Sequence, residues 1–318
     1  MVKESVVCGP ECRPHVKGPQ TTAKTTCFTA TITCAVAWDY MDTFAERSAS
    51  KRRYCRVQWT NFFESLAKLE PDDEFVTGRP GGLSPELAGQ MADDIATKLN
   101  LSASDTLLDY GCGTGAITRA LATRVSSTTA ADMTKAVVDR GIKGGGDIEW
   151  VVLGDDNPDL TLTPSSSGSF TKLLSYYNAQ SFTTHTEVRE HIEALCKSVA
   201  PGGTVMLGDI PDRERSKQWK SGERGREENR TTWMGRLQKR DIDLERDGLN
   251  LAAFSGRLKG LGIEAPPEFG KPHPGFDRDI VTRMFREIGG EVTIVTQPIE
   301  FPNAHTSVDY VVQFSEQV

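Results

Sequence analysis

The stretch LLDYGCGTGAITRAL (107–121) constrains this chain more than any other. An apolar run leads into Asp109, then three glycines follow at alternate positions, Gly111, Gly113 and Gly115. AITRALATR (116–124) continues with helical spacing. A buried strand that passes into a helix through such a turn is a building unit of an α/β sheet. Glycine has no Cβ, so a ligand can approach the backbone N–H groups of the turn closely.

The segments around it repeat the alternation. Ser84 has the character of an N-cap, with Pro85 at the first helical position of a helix that runs to about Leu99. Strands are predicted over 105–111, 126–133, 147–156, 170–178 and 204–210, and a helix over 134–143. HTEVREHIEALCKSV (185–199) reads as an amphipathic helix with Val188, Ile192, Leu195 and Val199 on one face, followed by a Pro201-Gly202-Gly203 turn. Strands alternating with helices imply right-handed crossovers and a mainly parallel, doubly wound sheet, with any ligand at the carboxyl ends of the strands. The C-terminal part differs. A helix over 276–290 precedes strands at 291–301 and 307–314, with only PNAHT between them. That connection is too short for a crossover helix, so these two strands form an antiparallel hairpin.

The glycine turn fits two ligand templates. Gly111, Gly113 and Ala116 satisfy the dinucleotide pattern G-x-G-x-x-G/A, which alone is weak. Asp109 with all three glycines satisfies D-x-G-x-G-x-G. In that form LLDYGCGTG resembles the first motif of the class I S-adenosylmethionine-dependent methyltransferases. Four further features fall in that family's order: Asp132 ends the second strand, Asp155 the third, APGG precedes the fifth, and a hairpin closes the sheet. The resemblance covers about 84–210 and 276–314. It implies the family's seven-stranded α/β fold, with S-adenosyl-L-methionine as the cofactor.

By this resemblance, Asp109 and the glycine backbone face the methionine end of the cofactor, Asp132 accepts the ribose hydroxyls, and Met133 lies on the adenine face. Asp155 accepts from the adenine amino group, with Asp156 in reserve should the register slip by one. The fourth strand's end lines the transfer cleft. This assigns Tyr176 to the cofactor and Tyr177 and Asn178 to the acceptor. The family's DNA and glutamine amino-methylators carry Asn/Asp-Pro-Pro-aromatic there; YYNAQ departs from it, leaving O-, N- or C-methylation of a small molecule open. A base assists transfer to a hydroxyl. His185 is the first candidate, His273 in KPHPGFD the second and Asp209 the third, Asp209 having a divalent-metal ligand as its alternative reading.

Residues 211–275 interrupt the family pattern. Within them, 212–240 holds ten Lys/Arg against five Asp/Glu, with Trp219 and Trp233 interleaved, and 243–262 reads as an amphipathic helix. The segment is expected to be a lid over the acceptor that attracts an anion. The helical stretch 54–69 packs beside it or forms a dimer face. Net charge is −7, which argues against a nucleic-acid coat and makes RNA methylation an alternative reading, as is a non-catalytic methyltransferase-like binding subunit. No run of about 18 apolar residues exists to span a membrane. The seven cysteines, among them Cys112 and Cys196, are read as reduced thiols in a cytoplasmic protein. Residues 1–40, rich in Thr, Cys and Pro, are expected to be a tail preceding a methyltransferase domain over 41–318. Organelle targeting by 1–37 and a metal site at Cys8, Cys12 and His15 are the competing readings.

Overall fold

Parallel strands buried on both faces are near-continuous apolar runs, and TLLDY and FTKLLSY are such runs. The computed structural model describes residues 57–153, 170–221, 230–267, 269–271 and 273–316, with the backbone alone for 220–221 and 230–244. All of them belong to one compact unit, Arg52–Val318. The features read in residues 1–40, and Asp155 and Asp156, lie outside the described residues.

The chain opens with a helix over 57–69 (α1), a short helix Asp73–Val76 (α2) and Pro85–Leu99 (α3). It then alternates: β1 (Thr106–Tyr110), α4 (Ala116–Ala122), β2 (Ser127–Asp132), α5 (Lys135–Lys143), β3 (Glu149–Val152), β4 (Phe170–Tyr176), α6 (His185–Cys196) and β5 (Val199–Pro211). The helices α7 (Arg213–Ser221), α8 (Arg230–Gly260) and α9 (Arg278–Glu287) precede β6 (Gly290–Val295) and β7 (Ser307–Phe314). The sheet has seven strands in the order β3-β2-β1-β4-β5-β7-β6. The first five are mutually parallel, and β7 runs antiparallel between β5 and β6. The order reverses between β1 and β4, which opens a crevice at their carboxyl ends.

Local chemistry sets the helix ends. The Ser84 hydroxyl accepts from Leu87 N, Pro85 occupies the first turn, and Asn100 closes α3 in the left-handed region at φ 49°. Thr184 and Glu187 form a reciprocal capping box at the start of α6. One face of the sheet packs α3 through Met91, Ile95 and Leu99 onto Leu107, Leu174 and Met206. The other packs α6 and α9 through Val188, Ile192, Val281 and Phe285 onto Leu108, Leu173 and Leu207.

Three sequence expectations need correction. The helix read over 185–199 stops at Cys196, and Val199 instead begins β5, pairing with Phe170. Pro201-Gly202-Gly203 is therefore a bulge inside β5 rather than a turn before it, with the register shifting between Phe170 and Lys172 of β4. Strand β6 ends at Val295, not 301. Pro298 cannot donate to a ladder, and 299–306 turns back through Phe301, Ala304 and Asn303. The hairpin's antiparallel sense stands, but its connection is 296–306.

The long helix α8 begins at Arg230, well before the 243 read from the sequence. Its C-terminal half carries Phe254 and Leu258 into an aromatic cluster with Phe62 and Leu66 of α1. Trp59 stacks on Phe63 at 5.8 Å between ring centroids, and Phe75 on Phe254 at 6.1 Å. Fully buried Glu70 fixes the joint. Both its carboxylate oxygens accept from Arg257 of α8, while its carbonyl accepts from Arg140 of α5. Among the described residues no helix is long and apolar enough to cross a membrane.

Candidate active site

The turn after β1 is pinned to β2 before any ligand is considered. The N–H groups of Gly111 and Cys112 both donate to the Ala131 carbonyl, at 2.7 and 3.1 Å. Gly113 N–H donates to Asp132 Oδ2 at 3.1 Å, and Thr134 N–H to Asp132 Oδ1 at 2.9 Å. Asp132 thus ties the glycine turn to the end of β2. The Thr134 hydroxyl and the Met133 N–H also act on this carboxylate, so the protein itself engages most of its roughly four acceptor positions.

The three glycines serve different neighbours. A Cβ on Gly111, whose φ is +77°, would stand 2.3 Å from Asn178 Nδ2; a Cβ on Gly115 would stand 2.4 Å from Trp150 Cη2. Only at Gly113 does a Cβ meet nothing within 4 Å. The open side of the turn is therefore at Gly113. The sequence reading missed Trp150, whose indole also fills the space a Cβ on Gly141 would take, at 2.2 Å. Its only signal was a tryptophan in a short β3, level with two glycines distant in sequence.

Asp109 is buried in β1 and accepts from the Thr118 hydroxyl of α4. Burial pushes its carboxyl up to about 6, the Thr118 hydrogen bond opposing and the Asp132 carboxylate adding to the rise. Burial raises Asp132 as well, against its backbone hydrogen bonds. Burial and both carboxylates push the Cys112 thiol well above its ordinary value. Neither acid has an ion pair among the described residues. Two neighbouring carboxylates, one buried and one partly exposed, with no ion pair among the described residues suit a positively charged ligand group, as the α-ammonium and sulfonium of S-adenosylmethionine are. The residues present fit that cofactor.

Asn178 bridges the switch point. Its Nδ2 donates to the Tyr110 carbonyl at 2.8 Å and to Ser175 Oγ at 2.9 Å, and Ser175 Oγ meets buried His191 Nε2 at 2.8 Å. With both amide hydrogens used, the Oδ1 of Asn178 turns toward Gly111. Met133 sits beside the turn, its sulfur accepting from Thr60 of α1 at 3.4 Å.

Tyr176 and Tyr177 turn away from the glycines. The Tyr176 ring lies over Gly208 of β5, where a Cβ would be 2.3 Å away, and its hydroxyl is raised well above its ordinary value by burial and by Asp209 and Asp309. Tyr176, read from the sequence as a cofactor contact, packs against β5. Tyr177 adopts φ +62°, and the Arg79 guanidinium covers its ring at 3.5 Å.

Of the three base candidates, only Asp209 stands at the end of the crevice with unused capacity. It is 0% exposed and has φ +56°. Its Oδ2 accepts from Asn303 at 3.1 Å and Arg79 at 3.4 Å, and burial raises its pKa. His185 Nε2 accepts from Asp277 N–H at 3.1 Å and its ring meets Phe276 edge-on, with burial lowering its pKa. His273 accepts from Gly275 N–H on Nδ1 at 2.9 Å, so Nε2 carries the proton that the Phe182 carbonyl accepts at 2.8 Å. Both histidines brace the 273–277 segment against α6 and the residues before it. His273, the second base candidate of the sequence reading, has both ring nitrogens in backbone hydrogen bonds here.

Trp219 of α7 stacks on His305 of the β6–β7 connection, 3.8 Å apart and nearly parallel, away from the glycine turn. The Trp233 side chain lies outside the described residues. No group of three His, Cys, Asp or Glu among the described residues is arranged to hold a metal ion.

Residues 108–207 match the family model described as a methyltransferase domain. No curated protein sequence matches the chain. Among solved structures, the N-methyltransferase NodS from Bradyrhizobium japonicum WM9 with S-adenosyl-L-homocysteine is 15% identical, with 80% of this chain and 98% of that chain covered and a TM-score of 0.46. Magnesium protoporphyrin IX methyltransferase from Synechocystis PCC 6803 with bound S-adenosylhomocysteine is 12% identical, with 80% and 94% covered and a TM-score of 0.45. Phosphoethanolamine N-methyltransferase 1 from Haemonchus contortus is 12% identical, with 81% of this chain and 48% of that chain covered and a TM-score of 0.49.

Proposed function

We propose, from the premise that this chain carries a class I S-adenosylmethionine-dependent methyltransferase domain, that it methylates a small molecule held where β4 and β5 end. The observation that carries the reading is the pair of acids, Asp109 and Asp132, without an ion-pair partner among the described residues, beside a turn whose Gly113 has open space at its Cβ position. Bound there, the cofactor supplies an electrophilic methyl carbon on a sulfonium centre.

The chain's own residues hold and orient. Asp132 keeps the turn closed on β2 and sets its carboxylate at the strand end where the ribose hydroxyls would lie. Asp109 and Asp132 together supply negative potential for the cofactor's positive groups. Asn178, fixed by Tyr110 and Ser175, fills the space beside Gly111 and so shapes the turn. Asp209, at the far wall, is the proton acceptor for an acceptor group that must lose one. Holding both reactants in line is the largest contribution a protein makes to such a transfer.

The attraction of an anion rests on the basic stretch 212–240, most of whose side chains lie outside the described residues. The Arg79–Asp209 cluster supports a small polar acceptor instead.

The test is turnover. The purified chain with S-adenosylmethionine and a panel of small hydroxyl and amine acceptors should release S-adenosylhomocysteine. Release that no acceptor stimulates, together with tight cofactor binding, would favour the non-catalytic subunit. Stimulation by RNA that falls steeply with salt would favour the nucleic-acid reading.

A further inference from the structure

The ends of β4 and β5 bury more polar atoms than the protein satisfies. Arg79 is 4% exposed and meets Asp209 through Nη2 and Oδ2. The other two atoms of this ion pair, Arg79 Nη1 and Asp209 Oδ1, are buried with no protein partner. The Tyr176 hydroxyl and Gln180 Oε1 share that condition. Gln180 belongs to the same cluster, its Nε2 donating to the Asp209 carbonyl at 2.7 Å, and the Tyr176 ring lies against Gly208, the residue before Asp209. Unpaired buried groups oppose folding, so several in one cluster call for a partner. Tyr177, which follows β4, and Asp209, at the register shift between Leu207 and Ile210 within β5, both hold left-handed backbone angles.

We infer that this cluster is a subsite for a hydroxyl group of a neutral small molecule. The identification as the methyl acceptor's subsite rests on the function proposed above; the binding itself does not. The argument is one of matched donors and acceptors. A carboxylate would answer Arg79 Nη1 but face Asp209. An ammonium would answer Asp209 Oδ1 but face Arg79. A hydroxyl accepts from one and donates to the other and leaves the ion pair's net charge unchanged. The Tyr176 hydroxyl, which both donates and accepts, can serve a second hydroxyl, as can Gln180 Oε1 for a further donor. Arg79 reaches the cluster from the 77–84 segment between α2 and α3.

Three probes of matched shape separate the possibilities: benzyl alcohol, benzylamine and benzoate. Their binding to the full chain is followed by ligand-observed magnetic resonance, with and without S-adenosylhomocysteine. Benzyl alcohol should bind at least about tenfold more tightly than the two charged probes, and Asp209→Asn and Arg79→Gln should each weaken it by about tenfold or more. Gln180→Leu, further from the ion pair, is a milder variant for use if those two do not fold. A charged probe that binds as well as the alcohol overturns the inference. So does alcohol binding that every folded variant retains, or the absence of binding by all three probes. Loss of S-adenosylhomocysteine binding by the wild-type chain would overturn the methyltransferase reading and leave the alcohol result to stand separately.

Discussion

The amide of Asn178 stands where a side chain on Gly111 would have to go, 2.3 Å from the Cβ position. The same amide holds the ends of β1 and β4 together through Tyr110 and Ser175. Gly111 is therefore required first by the protein's own packing, and only through Asn178 by the ligand. Gly111→Ala should displace Asn178 and strain a backbone at φ +77°, costing about 1–3 kcal/mol of stability. Asn178→Ala in the same chain should recover part of that loss in urea unfolding. Equal stability of Gly111→Ala and the wild type would contradict this geometry.

The Asp109 carboxyl, raised by burial to about 6 from 3.8, makes stability depend on pH. The folded chain binds this proton more tightly than the unfolded one. Its stabilisation is fully present below about pH 3.8 and is lost as pH rises through 6. On the order of 3 kcal/mol is at stake for a shift of this size. Asp109→Asn should flatten the unfolding free energy between pH 4 and 6. Conversely, a cationic ligand favours the ionised acid, so S-adenosylmethionine affinity should rise from pH 5 to 7 in the wild type. That rise should shrink in the variant.

His185 and His273 brace the 273–277 segment. Replacing either by Ala should lower stability by about 1 kcal/mol, the worth of one or two neutral hydrogen bonds. Turnover per folded molecule should change little. A drop of 100-fold or more with unchanged melting would restore a catalytic histidine.

Phe254, fully buried, is the link between α8 and the aromatic cluster of α1. Phe254→Ala should cost about 3–5 kcal/mol. Limited proteolysis should then cut first in 230–260, because the helix loses its main apolar contact. Unaltered protection would mean that α8 is held by the Glu70–Arg257 pair instead.

The sheet was legible because its strands are uniform apolar runs and its turns carry glycine, proline and capping residues. Ser84-Pro85 marked the start of α3, and Asp109 with three glycines marked the cofactor turn. The reading failed where tertiary pairing overrides local signal. Val199 continues the apolar period of α6 yet pairs with Phe170, and Pro201-Gly202-Gly203 resembles a turn although it bulges within a strand. The polar cluster was only partly visible. Asp209 was readable at a strand end, but Arg79 reaches it from a glycine-rich loop 130 residues away in sequence. Gln180 and Asn303 have no local pattern that pairs them with it. Tyr176 and Tyr177 looked equivalent in SYYNAQ, whereas Tyr176 lies against Gly208 and Tyr177, at φ +62°, lies under the Arg79 guanidinium.

The central claim is that the turn at 111–115 and the acids beside it bind S-adenosylmethionine. Titration calorimetry of S-adenosylhomocysteine into the wild type and Asp132→Ala tests it most directly. We expect saturable binding by the wild type, weakened in the variant by about 1–3 kcal/mol, the scale of hydrogen bonds lost to a charged group. No heat with this compound, while a nicotinamide dinucleotide bound tightly to the same preparation, would contradict the account.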